Sequence, residues 1–205
     1  MKNYHNIEYV EAGVDECARG VLLGRIYGAA VVYPKDGINN KLEKLITDSK
    51  KISSKKREIL YDFIINNVTD YAVSWVDENT IDEKGIQYAN YKVFHDSLDK
   101  LKIRPNHILV DGNKFKEYKN NGEIIPHTCF VKGDSRYLSI ACASILAKVS
   151  HDRYIQNLVN QQIDLAKYDL ENNMGYGTKK HIKAISEYGF SDYHRKSYNI
   201  KSLNN

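Results

Sequence analysis

The stretch IEYVEAGVDECARGVLLGRIYGAAVVY, residues 7–33, decides the fold because it holds two apolar runs separated by a glycine-punctuated turn. Both runs are rich in β-branched and small apolar residues, which favours β-strands over residues 7–14 and 26–33. Strands joined so closely are expected to pair as neighbours. The first run ends in two adjacent carboxylates, Asp15 and Glu16.

The rest of the chain predicts an α/β fold. Apolar residues at helical spacing predict helices over residues 38–46, 53–65, 81–101, 137–159 and 179–188. Shorter apolar runs predict strands over residues 71–76, 107–110 and 125–131. The first three strands are close enough along the chain for an antiparallel meander, whereas the last two follow long crossovers and are expected to be parallel. The prediction is a mixed five-stranded sheet flanked by helices.

Four acidic residues lie at the ends of these segments, namely Asp15, Glu16, Asp111 and Asp134. If the strands are neighbours, these carboxylates meet at one sheet edge, where their repulsion is costly unless a cation neutralises it. Mg²⁺ and Mn²⁺ prefer such oxygen ligands, and two of these ions can promote phosphodiester hydrolysis. Taken singly, the acids have ordinary explanations: a solvated strand end, a turn at Asp111, or a helix cap at Asp134. Their joint placement favours a hard-metal site.

The composition of the chain bears on its partners, its location and its number of domains. A net charge of +4 is compatible with a polyanionic partner without requiring one. The three cysteines form no CxxC pair and no signal-like segment opens the chain, which favours a reducing, cytoplasmic location. No stretch is long enough to span a membrane, and the seven histidines lack zinc-ligand spacing. We expect one domain over residues 1–205, with a helical C-terminal region from about residue 160.

A series of motifs resembles type 2 ribonucleases H, the ribonuclease HII family. They follow the family's order over nearly the whole chain: GVDECARG at 13–20, DSKK at 48–51, VDG at 110–112, KGD at 132–134, SIACASILAKV at 139–149, GYGT at 175–178 with His181, and HRKS at 194–197. The resemblance implies a ribonuclease H-like fold. It also implies two-metal hydrolysis of the RNA strand in RNA–DNA hybrids and cleavage 5′ of ribonucleotides embedded in duplex DNA, leaving 5′-phosphate and 3′-hydroxyl ends.

The resemblance assigns roles to individual positions. The metal-binding and catalytic carboxylates would be Asp15, Glu16, Asp111 and Asp134, holding two Mg²⁺ or Mn²⁺ ions. The turn formed by Ala18, Arg19 and Gly20 would sense the ribose 2′-hydroxyl, and Lys50 would lie near the scissile phosphate. Tyr176 would pack on the sugar at the junction, and Arg195, in a basic C-terminal region, would contact the substrate there. Asp152 would support the site from behind the metal ligands.

Two positions depart from the family pattern. Ala18 stands where the family has glycine, and its Cβ could demand another backbone angle or push the sugar away, so we expect weaker or broader selectivity for single ribonucleotides. Arg25 stands where proline is common and is expected to reshape the turn.

Three alternatives remain open at this point. The chain could be another nuclease or strand-transfer enzyme of the same fold, although the DSK and GYG motifs count against it. It could be a hybrid-restricted enzyme that has lost single-ribonucleotide recognition through Ala18. It could also be a hybrid-binding module without activity, which the intact set of acids opposes. The expected partners are RNA–DNA hybrids and ribonucleotide-containing duplexes, with no membrane, and the expected state is a monomer.

Overall fold

The computed structural model describes residues 1–200. Its strands are β1 (Glu11–Cys17), β2 (Ile26–Val32), β3 (Asp70–Val76), β4 (His107–Asp111), β5 (Tyr118–Asn120), β6 (Glu123–Ile125) and β7 (His127–Phe130). Its α-helices are α1 (Ser54–Asn67), α2 (Glu78–Lys84), α3 (Ile86–Asp99), α4 (Leu138–Gln161), α5 (Leu170–Asn173) and α6 (Lys179–Tyr188).

The central sheet has five strands in the order β3-β2-β1-β4-β7. β1 pairs antiparallel with β2, and β2 with β3, which confirms the predicted meander. β4 runs parallel to β1, with Val14 opposite Val110, and β7 runs parallel to β4. The predicted fold class, a mixed sheet with helices, is confirmed.

The two faces of this sheet are covered by different helices. A Cβ on Gly13 of β1 would lie 2.5 Å from the backbone of Ser139 and Ile140, so glycine is what lets α4 approach the sheet this closely. On the other face, a Cβ on Gly28 would lie 2.8 Å from Val93 of α3. Because side chains alternate along a strand, odd-numbered residues of β1 face α4 and even-numbered ones face α3. Asp15 and its neighbour Glu16 therefore point to opposite faces.

The first strand begins later than predicted. β1 starts at Glu11, because the Glu11 carboxylate accepts the backbone N–H groups of His5 and Asn6, each at 2.7 Å, and so holds the preceding residues in turns. At its other end β1 continues through Asp15 and Glu16 to Cys17.

The helix predicted over residues 38–46 is wrong. Only a 3₁₀ turn forms there, at Glu43–Leu45. Asn39 has a left-handed backbone with φ of +52°, which an α-helix cannot contain. The Glu43 carboxylate accepts the Tyr33 hydroxyl at 2.6 Å and the Ile38 N–H at 3.1 Å, so this side chain fixes a loop.

Three further boundaries differ from the prediction. The helical pattern over residues 81–101 is two helices, separated by Gly85 with φ of +83°. Part of the strand predicted over residues 125–131 belongs to the β5–β6 hairpin, and Pro126 separates that hairpin from β7. The C-terminal region is helical only as far as α6, since residues 189–200 form turns and bends; residues 201–205 lie outside the described part of the chain. Among residues 1–200 no helix has the length and apolar character to cross a membrane.

Candidate active site

The four predicted acids meet at one edge of the sheet. Asp15 and Glu16 lie near the end of β1, Asp111 is the last residue of β4, and Asp134 lies in the 3₁₀ turn Gly133–Ser135 that leads into α4. All four line a single cleft of about 260 Å³. The parallel pairing of β1 with β4 thus brings Asp111 beside Asp15, which lies 96 positions earlier in the chain.

The KGD turn is fixed to the neighbouring strand. Lys132 adopts a left-handed conformation with φ of +57°, and Gly133 is buried where a Cβ would lie 2.7 Å from Ile140. The N–H of Gly133 donates to Asp111 Oδ1 at 2.7 Å. Asp134 is therefore positioned by a backbone turn that also orients Asp111.

The carboxylates carry more negative charge than their surroundings compensate. Burial raises the pKa of Asp15 well above its usual range, and the charges of Glu16 and Asp111 add to the shift. Hydrogen bonds from Ser144 and from the Glu16 N–H, the latter at 2.8 Å, offset part of it. Burial also raises the pKa of Glu16 and Asp111, and the charge of Asp134 acts on Asp111 in the same direction. Such a group of acids favours a bound cation.

Lys50 lies beside the acids on a turn held to α4. The N–H of Lys50 donates to Asp48 at 2.9 Å, and the adjacent Ser49 hydroxyl lies 2.9 Å from the hydroxyl of Ser144. The Lys50 side chain is exposed and lines the cleft. Its charge acts to lower the pKa of both Glu16 and Asp111, against the larger effect of burial.

The turn after β1 keeps a glycine-like backbone although its first residue is alanine. Ala18 has φ of +70° and is buried. Its Cβ therefore does not impose another backbone angle, which removes one of the two reasons for expecting weaker junction selectivity. Arg19 and Gly20 are exposed at the cleft, and a Cβ on Gly20 would have no atom within 4 Å. The open side of this turn is thus available to a substrate.

Arg195 does not lie where a phosphate contact would place it. The side chain is 1% exposed, and it donates to the carbonyl oxygens of Gly24 at 2.8 Å and Arg19 at 3.0 Å. Tyr198 Oη donates to the same Arg19 carbonyl at 2.6 Å. The predicted substrate contact by Arg195 is therefore corrected: the buried guanidinium supports the turn from beneath by donating to its carbonyl oxygens.

Tyr176 lies beside the cleft and is supported by a chain of hydrogen bonds. Its side chain is 37% exposed, and its carbonyl oxygen lies 3.0 Å from His181 Nδ1. His181 Nε2 lies 3.1 Å from His194 Nε2, and His194 Nδ1 accepts the Ser191 N–H at 2.9 Å. This pattern requires two neutral imidazoles, with His194 donating to His181 and His181 to Tyr176. Burial lowers the pKa of His194 to about 4, with a further contribution from His181.

Asp152 holds a lysine that the sequence analysis did not single out. Asp152 accepts Lys148 Nζ at 2.7 Å, and it also lies near Arg57 at 3.3 Å and His151 at 3.2 Å. Lys148 lines the cleft with Asp15, and its Nζ lies 5.5 Å from the centre of the Tyr176 ring. The spacing of four residues between Lys148 and Asp152 on α4 was the available signal.

The Arg25 guanidinium stacks on two aromatic side chains. It lies 3.7 Å from the centre of the Trp75 ring and 4.6 Å from that of Tyr154. Cation–π contacts of this kind attach the start of β2 to β3 and α4.

The sequence model described as "Ribonuclease HII" matches residues 12–201. The chain belongs to the ribonuclease HII family. A ribonuclease HII of Bacteroides fragilis is 45% identical over 195 residues, which is 95% of this chain and 92% of that protein. The ribonuclease H2 of Pyrococcus horikoshii OT3 superposes with a TM-score of 0.75 at 26% identity, covering 95% of both chains. Family membership makes this protein a ribonuclease of the H type, a hydrolase.

A more distant structure shares the fold alone. Bst ribonuclease HIII, solved in complex with Mn²⁺, superposes with a TM-score of 0.61 at 18% identity, covering 86% of this chain and 69% of that one.

Proposed function

We propose that this ribonuclease hydrolyses the RNA strand of RNA–DNA hybrids and also cuts 5′ of ribonucleotides embedded in duplex DNA, with two divalent cations as cofactors. The observation that carries the proposal is the meeting of Asp15, Glu16, Asp111 and Asp134 in one cleft. Three of these acids have a raised pKa caused first by burial. A bound cation would offset the free-energy cost of burying these negative charges together.

The donor set fits Mg²⁺ or Mn²⁺. Carboxylate oxygens are the ligands that these hard ions prefer, and the related Bst enzyme was solved with Mn²⁺. Within residues 1–200 no group of three or more His, Cys, Asp or Glu side chains stands at metal-ligand spacing. Bound divalent ions would supply an activated water and stabilise the leaving oxygen.

The remaining residues of the cleft would position the substrate. The Lys50 ammonium can steady negative charge that develops on the scissile phosphate. The exposed turn at Arg19 and Gly20 can approach the minor groove, where the 2′-hydroxyl distinguishes RNA from DNA. Tyr176 offers a half-exposed ring on which a sugar can pack. Lys148 adds a second positive charge on the α4 side of the cleft.

The test is cleavage of two end-labelled substrates, a DNA duplex with one ribonucleotide and a continuous RNA–DNA hybrid, each with Mg²⁺, with Mn²⁺ and with EDTA. We expect cleavage of both substrates with either ion, 5′-phosphate and 3′-hydroxyl ends, and no cleavage in EDTA. Cleavage in EDTA would contradict the role of the acids.

The hybrid-restricted enzyme is the second candidate function, and one observation bears on it. Ala18 has φ of +70°, in the left-handed region that glycine adopts most readily, so its Cβ has not forced the turn out of that region. This favours cleavage of both substrates, and cleavage of the hybrid alone would support the restricted enzyme instead. The cytoplasmic location and the monomeric state stay predictions.

A further inference from the structure

Residues 2–6 form an N-terminal strap that is attached to the start of α4. The N–H of Lys2 donates to the carbonyl oxygen of Arg136 at 2.9 Å, and the N–H of Leu138 donates to the carbonyl oxygen of Lys2 at 2.9 Å. These two bonds close a short parallel β-bridge between the strap and the residues that lead into the helix. The sequence model of the family matches from residue 12, so the strap lies outside the segment on which family membership rests.

Two side chains hold the strap in place. His5 Nδ1 lies 3.0 Å from the Tyr137 hydroxyl. The His5 ring also packs edge-on against the rings of Tyr137 and Phe130, with centroids 5.9 Å and 5.3 Å apart. The Glu11 carboxylate, at the start of β1, accepts the N–H groups of His5 and Asn6, each at 2.7 Å. The strap is therefore bonded both to β1 and to a tyrosine that is 2% exposed.

Tyr137 closes the turn that carries Asp134. The carbonyl oxygen of Gly133 accepts the N–H groups of Arg136 at 2.8 Å and Tyr137 at 2.9 Å. Asp134 lies inside this turn, and the N–H of Gly133 donates to Asp111 Oδ1 at 2.7 Å. A displacement of Tyr137 would therefore be passed through the turn to the Asp134 carboxylate and would change its position relative to Asp111.

We propose that the N-terminal strap is a positioning element of the active site, which holds Tyr137 so that Asp134 stays beside Asp111 for a divalent cation. The inference rests on the proposed function and adds a role for residues that do not line the cleft. Mg²⁺ is demanding in the geometry of its oxygen ligands, so a looser Asp134 should weaken cation binding. Binding of the duplex depends on other residues of the cleft and should not change.

The test compares cation binding in two tyrosine variants. Tyr137→Phe removes the hydroxyl that contacts His5. Tyr118→Phe is the matched control, because the Tyr118 hydroxyl donates to Asp99 at 2.8 Å and this tyrosine, in β5, is 3% exposed. A neutral hydrogen bond is typically worth a factor of about two to ten in an equilibrium constant.

We expect Tyr137→Phe to raise the dissociation constant for Mn²⁺, measured by calorimetric titration without substrate, by about fivefold. The Mg²⁺ concentration that gives half-maximal cleavage should rise equally, with KM for the duplex unchanged. The control Tyr118→Phe should change each quantity by less than about twofold. Equal changes in the two variants would mean that any lost buried hydrogen bond has this effect, and would overturn the inference.

His5→Phe tests the same contact from the other side and stays available if Tyr137→Phe does not fold. It keeps an aromatic ring against Phe130 but removes Nδ1. The double variant should weaken Mn²⁺ binding no more than either single change, because all three remove one hydrogen bond; additive losses would overturn the inference.

A measurement on the metal-free protein completes the test. In EDTA the Leu138 N–H, which donates to Lys2, should exchange with solvent about fivefold faster in His5→Phe than in the wild type. Unchanged exchange would overturn the inference. If the wild type binds Mn²⁺ but cuts neither substrate, the proposed function fails, whereas the titrations still decide whether the strap positions Asp134.

Discussion

Two buried aspartates, Asp15 in the cleft and Asp152 on α4, are equally hidden from solvent but carry opposite pKa shifts. Each is 6% exposed. The pKa of Asp15 is raised by burial and by neighbouring acids, whereas the pKa of Asp152 is lowered, because hydrogen bonds from His151 and Lys148 outweigh the effect of burial. The two pKa shifts differ because the two carboxylates have different neighbouring groups, and not because one is more deeply buried than the other. A buried acid with its counter-charges in place belongs to the framework, and one without them is placed for a cation that must come from solution.

The largest expected effect removes one acid of the cleft. Asp111→Asn keeps the side-chain shape and the hydrogen bond from Gly133 but deletes a charge that a divalent ion needs. We expect the cleavage rate to fall by about 10³-fold or more, which corresponds to the several kcal/mol that metal ions supply. Binding of uncleaved duplex, measured by fluorescence anisotropy, should change little. A fully active variant would refute the role of the acids.

The second largest expected effect is a difference in stability between variants of the two aspartates. Asp152→Asn leaves the ammonium of Lys148 and the guanidinium of Arg57 without their buried partner, so we expect a loss of about 3 kcal/mol in the free energy of unfolding. Asp15→Asn removes an uncompensated charge and should stabilise the metal-free protein. Urea unfolding in EDTA measures both changes, and changes of the same sign would break the comparison.

The pH dependence of these two variants sharpens the contrast. Because the folded pKa of Asp15 lies above its unfolded value of 3.8, this group makes the fold less stable as pH rises through that window. The advantage of Asp15→Asn should therefore be absent near pH 4 and grow toward pH 7. For Asp152 the folded pKa lies below 3.8, so the deficit of Asp152→Asn should be full above that pH and shrink only below it. Unfolding curves in EDTA at a series of pH values provide the measurement.

The smallest expected effect concerns backbone strain at the cleft. A left-handed alanine costs roughly 1–2 kcal/mol, but glycine loses about 0.5–1 kcal/mol through the flexibility of the unfolded chain, so Ala18→Gly should change stability little. The ratio of hybrid to single-ribonucleotide cleavage should change by less than about threefold, or ~0.6 kcal/mol. A large gain in single-ribonucleotide cleavage would show that the methyl group, and not the backbone, limits recognition at the junction.

The sheet and the acids were predictable because both depend on local patterns. The buried apolar runs of β1 and β4 lead into Asp15, Glu16 and Asp111, and the parallel pairing of these two strands brings the acids to one edge. The helix over residues 38–46 was wrong because Glu43, which fits a helical pattern, instead binds Tyr33 and a loop N–H. Propensity is a weak guide where one side chain has a strong tertiary partner.

Contacts between distant segments account for the misassigned role of Arg195. Arg195 has the composition of a phosphate-binding residue, but the carbonyls that it satisfies are about 170 positions earlier in the chain. This role of Arg195 cannot be read from residues within a few positions of its side chain.

The pairing of β1 with β4 also sets the order of events when the protein is made. The register that joins Glu11 with His107 closes a loop of nearly a hundred residues, and Asp134 arrives later still. Contacts so far apart in sequence form late and slowly, because the entropic cost of closing a long loop comes before the contacts can stabilise the chain. A nascent or refolding chain thus acquires its meander and helices before its nuclease edge, and recovery of cleavage on refolding should lag behind recovery of secondary structure.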